Sequence, residues 1–406
     1  MTGTPSLGGL APAHSRQRVI AFLGIGQILV WGSSYYLPTV LAKPVSDDTG
    51  WPMTWVVGAL SAGLLVSGLV SPRVGHLVER HGGRPVLAAS AILLAIGLLI
   101  QGLAPNIGVF VLAWLVIGFA MGAGLYDPAF STLTRLYGDQ ARSAITSLTL
   151  WGGFASTVCW PLTAFLVERV GWRGASLAYV GIMVLIVLPM YWFGLPREAL
   201  HVPLAKAPAA PVSARAKREN RYFLLMLATN FTIASVVMTI IAVHLIAMMQ
   251  DRGFSLAAAV SLGMLIGPSQ VGARVLEAAF GRKVHPIWSL LVCSAAVAIG
   301  LATLLGSAEP VVLGLILYGG GNGLRSIARG TVPLAMFGRE GYAVLMGWLA
   351  LPVLVAQAFS PTVGDLMIQA LGTTGTIAVL AGLSVLNVLT TLILVPIALR
   401  RGIATG

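Results

Sequence analysis

The sequence predicts an all-α membrane protein in which twelve membrane-spanning helices form two pseudo-symmetric six-helix bundles. Three observations predict this fold class: the composition, the number of long apolar runs, and a repeat that relates the two halves of the chain. Of the 406 residues, 57% are hydrophobic and 9% are charged, whereas about a quarter of the residues of a soluble protein are charged. The mean hydropathy of +0.89 also fits a chain that lies mostly in a lipid bilayer.

Apolar runs of membrane length occur twelve times. A helix needs about 20 apolar residues to cross roughly 30 Å of hydrocarbon. Because lipid offers no partners to backbone N–H and C=O groups, each run is expected to be helical. The predicted spans are 19–42, 54–77, 85–104, 107–136, 142–166, 174–195, 222–249, 255–280, 286–307, 310–335, 342–370 and 375–399.

The segment 196–220 is the longest polar stretch between two spans. It is rich in Ala and Pro and carries a net positive charge, a composition typical of a partly disordered linker. We expect a cytoplasmic linker here, joining an N-terminal bundle at 1–195 to a C-terminal bundle at 221–406.

The basic residues predict how the chain is oriented. With the N-terminus inside the cell, only Lys43, Arg169, Arg173 and Arg252 face outward, three arginines lie within helices, and the rest of the 25 Lys and Arg residues face the cytosol. Both termini are therefore expected in the cytoplasm, with the protein in a bacterial-type inner (plasma) membrane. The net charge of +12 is explained by these loops, so no nucleic-acid partner is expected.

Four pairs of short sequences recur about 200 residues apart. Each match is weak alone, but their common offset indicates duplicated six-helix units, an arrangement typical of transporters. The pairs are Gly50-Trp51 with Gly253-Phe254, Val74-Gly75 with Val271-Gly272, Tyr137-Gly138 with Phe337-Gly338, and Pro161–Gly171 with Pro361–Gly372.

The turn between the second and third spans carries a specific motif, Gly-x-x-x-Glu-Arg-x-Gly-Gly-Arg. Its first glycine allows two helices to approach closely, its glutamate can accept hydrogen bonds from backbone amides and an arginine, and Gly82 and Gly83 allow a positive φ. A charged helical hairpin of another kind is the alternative. The motif residues are Gly75, Glu79, Arg80, Gly83 and Arg84.

This motif resembles the loop signature of the major facilitator superfamily of secondary transporters. Together with the twelve spans, the repeat and the linker, the resemblance covers essentially the whole chain. It implies that the two bundles rock about a central site and that the first, fourth, seventh and tenth helices line this site. The candidate site residues were therefore sought on those helices.

The first helix places Gln27, Trp31 and Tyr35 four residues apart, hence on one face. Their amide, indole and phenol groups are directional hydrogen-bonding groups, so we expect this face to line the cavity. Trp and Tyr also anchor helices at membrane interfaces, but Trp31 lies too deep for that role. Asn230 is the repeat counterpart of Gln27 on the seventh helix and is a second candidate, although a buried amide could simply tie two helices together.

The tenth helix contains Asn322 and Arg325 after three consecutive glycines. Arg325 lies deep in the predicted span and has no acidic neighbour on its own helix. A guanidinium there could bind an anionic group of a substrate. The alternative is an ion pair with an acid on another helix, Asp127 or Glu277.

Arg274 on the eighth helix has Gln270 one turn before it and Glu277 three residues after it. Helical spacing predicts an Arg274–Glu277 pair, so Arg274 and Gln270 are candidates for a gate as well as for substrate binding. The Gly272-Ala273-Arg274 sequence also resembles monocarboxylate and oxalate carriers, a branch of the same superfamily. Gln270 stands where the monocarboxylate pattern has an aspartate.

Three further titratable residues complete the candidates. Asp127, in the fourth helix near the cytosolic boundary, is expected to form part of a gate, where its carboxylate could cap a helix or pair with Arg135 or Arg80. Asp365 and His244 lie toward the outer side of their helices; either could carry a coupling proton or could simply face water.

The sequence contains no phosphate-binding loop, no metal-ligand cluster, and no nucleophile with a base at helical spacing. We therefore expect neither an enzyme, nor a cofactor, nor a metal. The arginine in the fourth helix that is typical of drug/proton antiporters is missing. A monomeric transporter of a small organic anion is the favoured function, the alternative is efflux of a neutral or amphipathic toxicant, and a sensor or scaffold is disfavoured.

Overall fold

The apolar runs of the chain form helices, as the lack of backbone partners in lipid requires. The computed structural model describes residues 13–197, 214–281, 284–306 and 311–404, and no β-strand occurs among them. Of the predicted linker 196–220, the part at 198–213 lies outside the described residues. The described chain contains nine continuous helical stretches long and apolar enough to span a membrane, and glycine-centred or loop breaks divide these into twelve spans.

We number the spans α1 to α12 in chain order. Two connections consist of a single glycine with a positive φ, at Gly171 and Gly372, which divide otherwise continuous stretches. The spans are α1 (Ala13–Gly32 and Leu37–Thr49), α2 (Met53–His81), α3 (Gly83–Gly102), α4 (Ile107–Gly124 and Tyr126–Tyr137), α5 (Ala141–Gly152 and 155–170), α6 (172–194), α7 (Ala214–Asp251), α8 (Leu256–Met264 and Ile266–Phe280), α9 (Pro286–Thr303), α10 (Val311–Phe337), α11 (342–371) and α12 (373–404). The twelve predicted spans are confirmed, with ends shifted by up to eight residues. The largest shift is in α7, because the last part of the predicted linker, 214–220, is helical and begins this span.

Four spans contain an irregular turn shortly before a proline. Proline has no N–H and disfavours a helical conformation in the preceding residue, so it leaves a carbonyl one turn earlier without its helical partner. The turns with their prolines are Ser33–Tyr36 with Pro38 in α1, Leu125 with Pro128 in α4, the π-helical Met183–Val187 with Pro189 in α6, and Leu265 with Pro268 in α8.

The repeat predicted from sequence reappears in the backbone. Three pairs of glycines with a positive φ lie 200 to 203 residues apart: Gly50 and Gly253, Gly138 and Gly338, Gly171 and Gly372. The last pair agrees in both angles, with φ 69° and ψ 175° at Gly171 and φ 68° and ψ 176° at Gly372. The same connection therefore joins α5 to α6 and α11 to α12.

Consecutive spans are antiparallel, so alternate connections lie on the same face of the molecule. We call the face with the α2–α3 turn, which carries Arg80 and Arg84, the basic face, and the opposite one the far face. Large apolar side chains remain exposed around the bundle, among them Leu185 at 76% and Phe193 at 82%. Such a surface suits contact with lipid.

The N-terminal half (α1–α6) meets the C-terminal half (α7–α12) along a surface that we call the seam. Glycines bring α2 and α11 into backbone contact across it. A Cβ on Gly75 would lie 2.4 Å from the carbonyl oxygen of Ala343, and one on Gly347 would lie 2.4 Å from that of Ser71. The predicted role of Gly75 in close helix approach is confirmed.

Candidate functional site

Five aromatic side chains of the N-terminal half form a cluster at the middle of the bundle. Trp31 is central: its ring centroid lies 5.4 Å from Tyr35, 6.0 Å from Tyr36 and 5.1 Å from Tyr126, and Tyr36 lies 6.0 Å from Trp160. Most of the pairs are tilted or edge-to-face, as ring quadrupoles favour. We call these residues the aromatic cluster.

Gln27 lies behind the aromatic cluster and is fully buried. Pro128 has no N–H to give to the Gly124 carbonyl, and the Gln27 Nε2 donates to that oxygen at 2.7 Å. Its Oε1 accepts from the Trp31 indole N–H at 3.2 Å. The predicted shared face of Gln27 and Trp31 is present, but Gln27 holds the Trp31 ring in place and has no exposed surface for a ligand.

Arg325 of α10 lies on the seam opposite the aromatic cluster. Its Nη2 donates to Asn322 Oδ1 at 2.7 Å and contacts the sulfur of Met238 at 2.8 Å. Among the described residues, no carboxylate lies within ion-pair distance of this guanidinium. Asp127 and Glu277, the alternative partners, pair with other arginines.

Tyr35 connects the two sides of the seam near Arg325. Its hydroxyl accepts a hydrogen bond from Gln357 Nε2 of α11 at 3.1 Å, and the Arg325 charge acts on the same hydroxyl. The aromatic cluster and a guanidinium with no carboxylate partner among the described residues therefore lie near each other at the seam. An aromatic wall facing a cation can hold a ligand that has both an apolar body and a negative group.

Arg274 crosses the seam from α8 to α5. Its Nη1 donates to the carbonyl of Thr149 at 3.0 Å, and its Nη2 lies 3.5 Å from Gln270 Oε1. The predicted Arg274–Glu277 pair is wrong, because the Glu277 carboxylate lies 3.9 Å from Arg142. A helical spacing of three allows such a pair but does not select it when an arginine from another helix lies nearer.

The charge of Arg274 also acts on two rings of the aromatic cluster, Tyr36 and Tyr126. Its side chain is buried at 6% exposure and is held from both halves. Arg274 therefore joins the two halves next to the aromatic cluster. This position suits a residue of a gate as well as a residue that closes one end of a binding site.

Asp127 and Arg329 form a bidentate ion pair across the seam. Arg329 Nε lies 3.1 Å from Asp127 Oδ1, and its Nη2 lies 2.7 Å from Oδ2. The predicted partners of Asp127, Arg135 and Arg80, are wrong: Arg135 donates instead to the carbonyl of Glu79 at 3.0 Å. This pairing draws the halves together toward the basic face.

The motif loop contains one further correction. Gly82 has the predicted positive φ, 83°, but Gly83 is the first helical residue of α3 and does not. Gly83 is needed for space, because a Cβ there would lie 1.8 Å from Thr132 Oγ1 of α4. The carboxylate of Glu79 lies 3.8 Å from Arg135, which confirms the expected arginine partner. Arg84 stacks over the Trp192 ring at 4.8 Å, and Arg80 is exposed.

Asn230 does not line the seam. It is fully buried between α7 and α12, where its Nδ2 lies 3.0 Å from the Asn387 carbonyl and 2.9 and 2.8 Å from the hydroxyls of Thr390 and Thr391. The prediction of a substrate contact is wrong for this residue, and the alternative of an amide that ties two helices together describes its contacts.

His244 and Asp365 meet within the C-terminal half, toward the far face. His244 Nδ1 of α7 lies 3.6 Å from Asp365 Oδ1 of α11, and its Nε2 lies 3.1 Å from the Pro361 carbonyl oxygen. The sequence suggested both as proton carriers but gave no sign that they touch. No group of three or more His, Cys, Asp or Glu side chains that could hold a metal ion occurs in the described part of the chain.

Sequence reasoning missed Tyr126, Gln357 and Arg142. Tyr126 adjoins Asp127, and Gln357 is an isolated amide in the apolar run LPVLVAQAF, so both carried a detectable signal. Arg142, whose Nη2 donates to the Gly281 carbonyl at 2.7 Å, had none, because an arginine at the start of a span is ordinary.

Twelve antiparallel spans and a polar seam between two halves define a class of protein, the polytopic helical membrane proteins. The sequence profile described as the Major Facilitator Superfamily matches residues 23–328, and the chain belongs to that family. Its fold is also similar to that of the human organic anion transporter MFSD10, with a TM-score of 0.71 at 18% identity over 94% of this chain and 100% of the other.

Two relatives are similar in sequence over part of their length. The chain is 32% identical to monocarboxylate transporter 11 of Mus musculus, over 42% of this chain and 36% of the relative. It is 30% identical to the 3-(3-hydroxy-phenyl)propionate transporter of Escherichia coli K12, over 62% of this chain and 61% of the relative. The alignments thus span about one third to three fifths of these relatives.

Proposed function

We propose that this protein transports a small organic anion across a membrane by alternating access, with its site at the seam. The observation that carries the proposal is Arg325, a seam guanidinium with no described carboxylate within ion-pair distance. A charge within a membrane span is costly unless it is compensated. An anionic substrate would supply the missing negative charge.

The aromatic cluster refines the class of anion. Aromatic rings pair favourably with a further ring in edge-to-face or offset geometry, so the cluster suits a flat aromatic body. Tyr35, a member of the cluster, also reaches across the seam to Gln357. A carboxylate on a short arm from an aromatic ring would use both the cluster and the arginine. The name of the Escherichia coli relative, a hydroxyphenylpropionate transporter, supports the same class.

The contacts across the seam favour access from the far face. Asp127 with Arg329, and Arg142 with Glu277 and the Gly281 carbonyl, tie the halves together on the basic-face side. We propose that breaking these contacts opens the site to the basic face, and that the basic face is cytoplasmic in a plasma membrane, as its arginines favour. Since one chain supplies both walls of the site, we propose a monomer that acts without nucleic acid.

The test is uptake into proteoliposomes of 3-(3-hydroxyphenyl)propionate, of pyruvate, and of the uncharged amide of the former. The aromatic anion is expected to be taken up in preference to both others. Arg325→Ala is expected to reduce uptake by about ten- to a hundredfold, as loss of a buried charge-assisted contact would, and Arg325→Lys to restore part of it.

Arg218→Ala is the matched control, because Arg218 is exposed near the start of α7, and it should transport normally. Unchanged uptake in Arg325→Ala would refute the role of Arg325. Preference for the neutral amide would favour the second candidate, efflux of a neutral or amphipathic compound, which the aromatic cluster alone could bind.

A further inference from the structure

A small cavity lies beside Arg325, inside the C-terminal half. Helices α7, α9, α10 and α12 bound it, and it has room for about one water-sized molecule. Aliphatic side chains and Cys293 line most of the cavity, and its polar lining consists of Arg325, Ser294, Ser384 and Asn387. The two serines and the asparagine are at most 5% exposed. The cavity therefore combines one cation with three buried polar side chains around the space of a single small species.

The guanidinium of Arg325 has donors that the protein does not use. An arginine carries five N–H donors. Nη2 donates to Asn322 Oδ1 and contacts the sulfur of Met238, whereas Nε and Nη1 have no hydrogen-bond partner in the described part of the chain. The charge of Arg325 also acts on the thiol of Cys293, which belongs to the cavity lining. Donors therefore remain for a ligand in the cavity.

Two hydroxyl groups of the lining can also donate to a ligand. Ser384 Oγ donates at 2.9 Å to the carbonyl of Leu380 one turn earlier in its own helix, and Ser294 Oγ donates to Asn387 Oδ1 at 2.8 Å. A hydroxyl hydrogen rotates about its C–O bond, so either group can turn toward an anion. Asn387 itself is fixed, because its Nδ2 donates to the Asn230 carbonyl at 2.6 Å.

Charge and size together define the class of ligand. A guanidinium within a membrane span is costly unless its charge is compensated. A water molecule fits a polar space of this size, but it leaves the charge uncompensated. A carboxylate, a sulfate or a phosphate contains several heavy atoms and is too large. A halide ion such as chloride is only slightly larger than a water molecule and carries the opposite charge.

We propose that this cavity binds a monovalent anion of the size of chloride, which compensates Arg325 from within the C-terminal half. The organic anion of the proposed function would reach the same guanidinium from the seam. Because like charges repel, each anion lowers the affinity for the other. This competition rests on the proposed transport function, whereas the halide site itself does not.

The first experiment measures the melting temperature of the purified full-length protein in sodium gluconate, chloride and bromide at equal ionic strength. Gluconate is too large for the cavity, and a ligand that binds only the folded protein raises the melting temperature. We expect a saturable rise of at least about 2 °C in both halides. Equal melting temperatures in all three salts would overturn the proposal.

Variants of the lining locate the halide. Ala234 of α7 lines the cavity, and Ala234→Val fills part of its space. This variant and Arg325→Gln should both lose the halide-dependent rise. Ala242→Val is the matched control, because Ala242 is an exposed alanine of the same helix, and it should keep the rise. Each variant is compared with itself in gluconate, so a change in its own stability cancels.

A halide-dependent rise that persists in Ala234→Val or in Arg325→Gln would mean that the ion binds elsewhere and would overturn the proposal. If a variant does not fold, wild-type crystals grown in bromide decide. The anomalous scattering of bromide should give a peak in the cavity, within hydrogen-bond distance of the Arg325 guanidinium. Anomalous maps without such a peak would refute the site.

The competition is tested by uptake of 3-(3-hydroxyphenyl)propionate into proteoliposomes in chloride and in gluconate, at the same membrane potential. The KM should be at least about twofold lower in gluconate, and an equal KM would overturn the competition. A wild-type protein that takes up no 3-(3-hydroxyphenyl)propionate in either salt refutes the transport proposal. The melting temperatures and the bromide peak still decide on the halide site in that case, because neither needs a substrate.

Discussion

Arg329 of α10 donates hydrogen bonds to both carboxylate oxygens of Asp127 of α4, at 3.1 and 2.7 Å. The two residues are 202 positions apart in the chain and belong to opposite halves. Two parallel N–H···O bonds fix the geometry as well as the charge. Asp127 is the first-turn acid of the segment Tyr126–Tyr137, so a helix start also favours the carboxylate there.

Asp127→Asn is expected to weaken the contact between the two halves at the basic face, because a neutral amide cannot replace the two charged oxygens that bind Arg329. The population open toward this face should rise about tenfold. Distances between spin labels at Asp139 and Glu340, exposed residues of opposite halves, would measure the change. Asp47→Asn, in the exposed Lys43–Asp47 pair, is the control and should leave the distances unchanged.

Gly75→Ala should open the same face by steric means. Its Cβ would lie 2.4 Å from a backbone oxygen of α11, which cannot move aside as a flexible side chain could. We expect a loss of about 1–3 kcal/mol in the free energy of unfolding and longer spin-label distances.

Gly272 is the repeat counterpart of Gly75 and provides its control. A Cβ at Gly272 would meet no atom within 4 Å, so Gly272→Ala should be neutral or stabilise α8 by at most about 1 kcal/mol. Equal effects of the two substitutions would show that the Gly75 contact does not hold the seam.

Asn230→Ala is expected to destabilise the C-terminal half without changing substrate affinity. It removes the donor shared by the Asn387 carbonyl and two threonine hydroxyls of α12, at a cost of about 1–3 kcal/mol. The melting temperature should fall while the KM of the folded protein stays the same. An increase in KM would return Asn230 to the binding site.

His285 predicts a pH dependence of stability. It precedes α9, where its Nδ1 accepts from the backbone N–H of Ile287 at 3.2 Å. Burial and the nearby positive charge of Arg142 lower the pKa of His285. Between the folded and unfolded pKa values the unfolded state binds more protons, so stability is present at higher pH and is lost as the pH falls below the ordinary histidine range.

His285→Asn is the matched variant, since asparagine also caps a helix but does not titrate. The wild-type melting temperature should fall more than that of His285→Asn between pH 7 and 5. Parallel pH curves for the two proteins would mean that His285 contributes nothing to the acid sensitivity.

The spans, the motif loop and the close approach at Gly75 could be predicted because each depends on local pattern: the length of an apolar run, the position of a charge, the size of a glycine. The partners of the buried charges could not. Asp127 has Arg135 near it in sequence, yet the fold brings Arg329 to it from the other half, and no local rule contains that information.

The repeat correctly predicted that Gln27 and Asn230 occupy equivalent positions, but the prediction that both contact a ligand does not follow from it. Both amides donate to a backbone carbonyl of another helix, Gly124 for Gln27 and Asn387 for Asn230. A correspondence in sequence thus predicts a shared role, while the direction in which a side chain points depends on the rotation of its helix, which the sequence pattern leaves open.

The single-residue reversals at Gly171 and Gly372 bear on how the far face can be probed. An insertion at either glycine, such as a reporter fusion, an epitope or a protease site, would have to separate two helices that are joined by a single residue. In addition, only glycine readily adopts this backbone conformation. The turn at 103–106, between α3 and α4, is four residues long and can accommodate an insertion more easily. Labels that show which side of the membrane this face occupies should be placed in that turn. A tag at Gly171 or Gly372 that gives no signal would indicate that the insertion has disrupted the protein, and would say nothing about its topology.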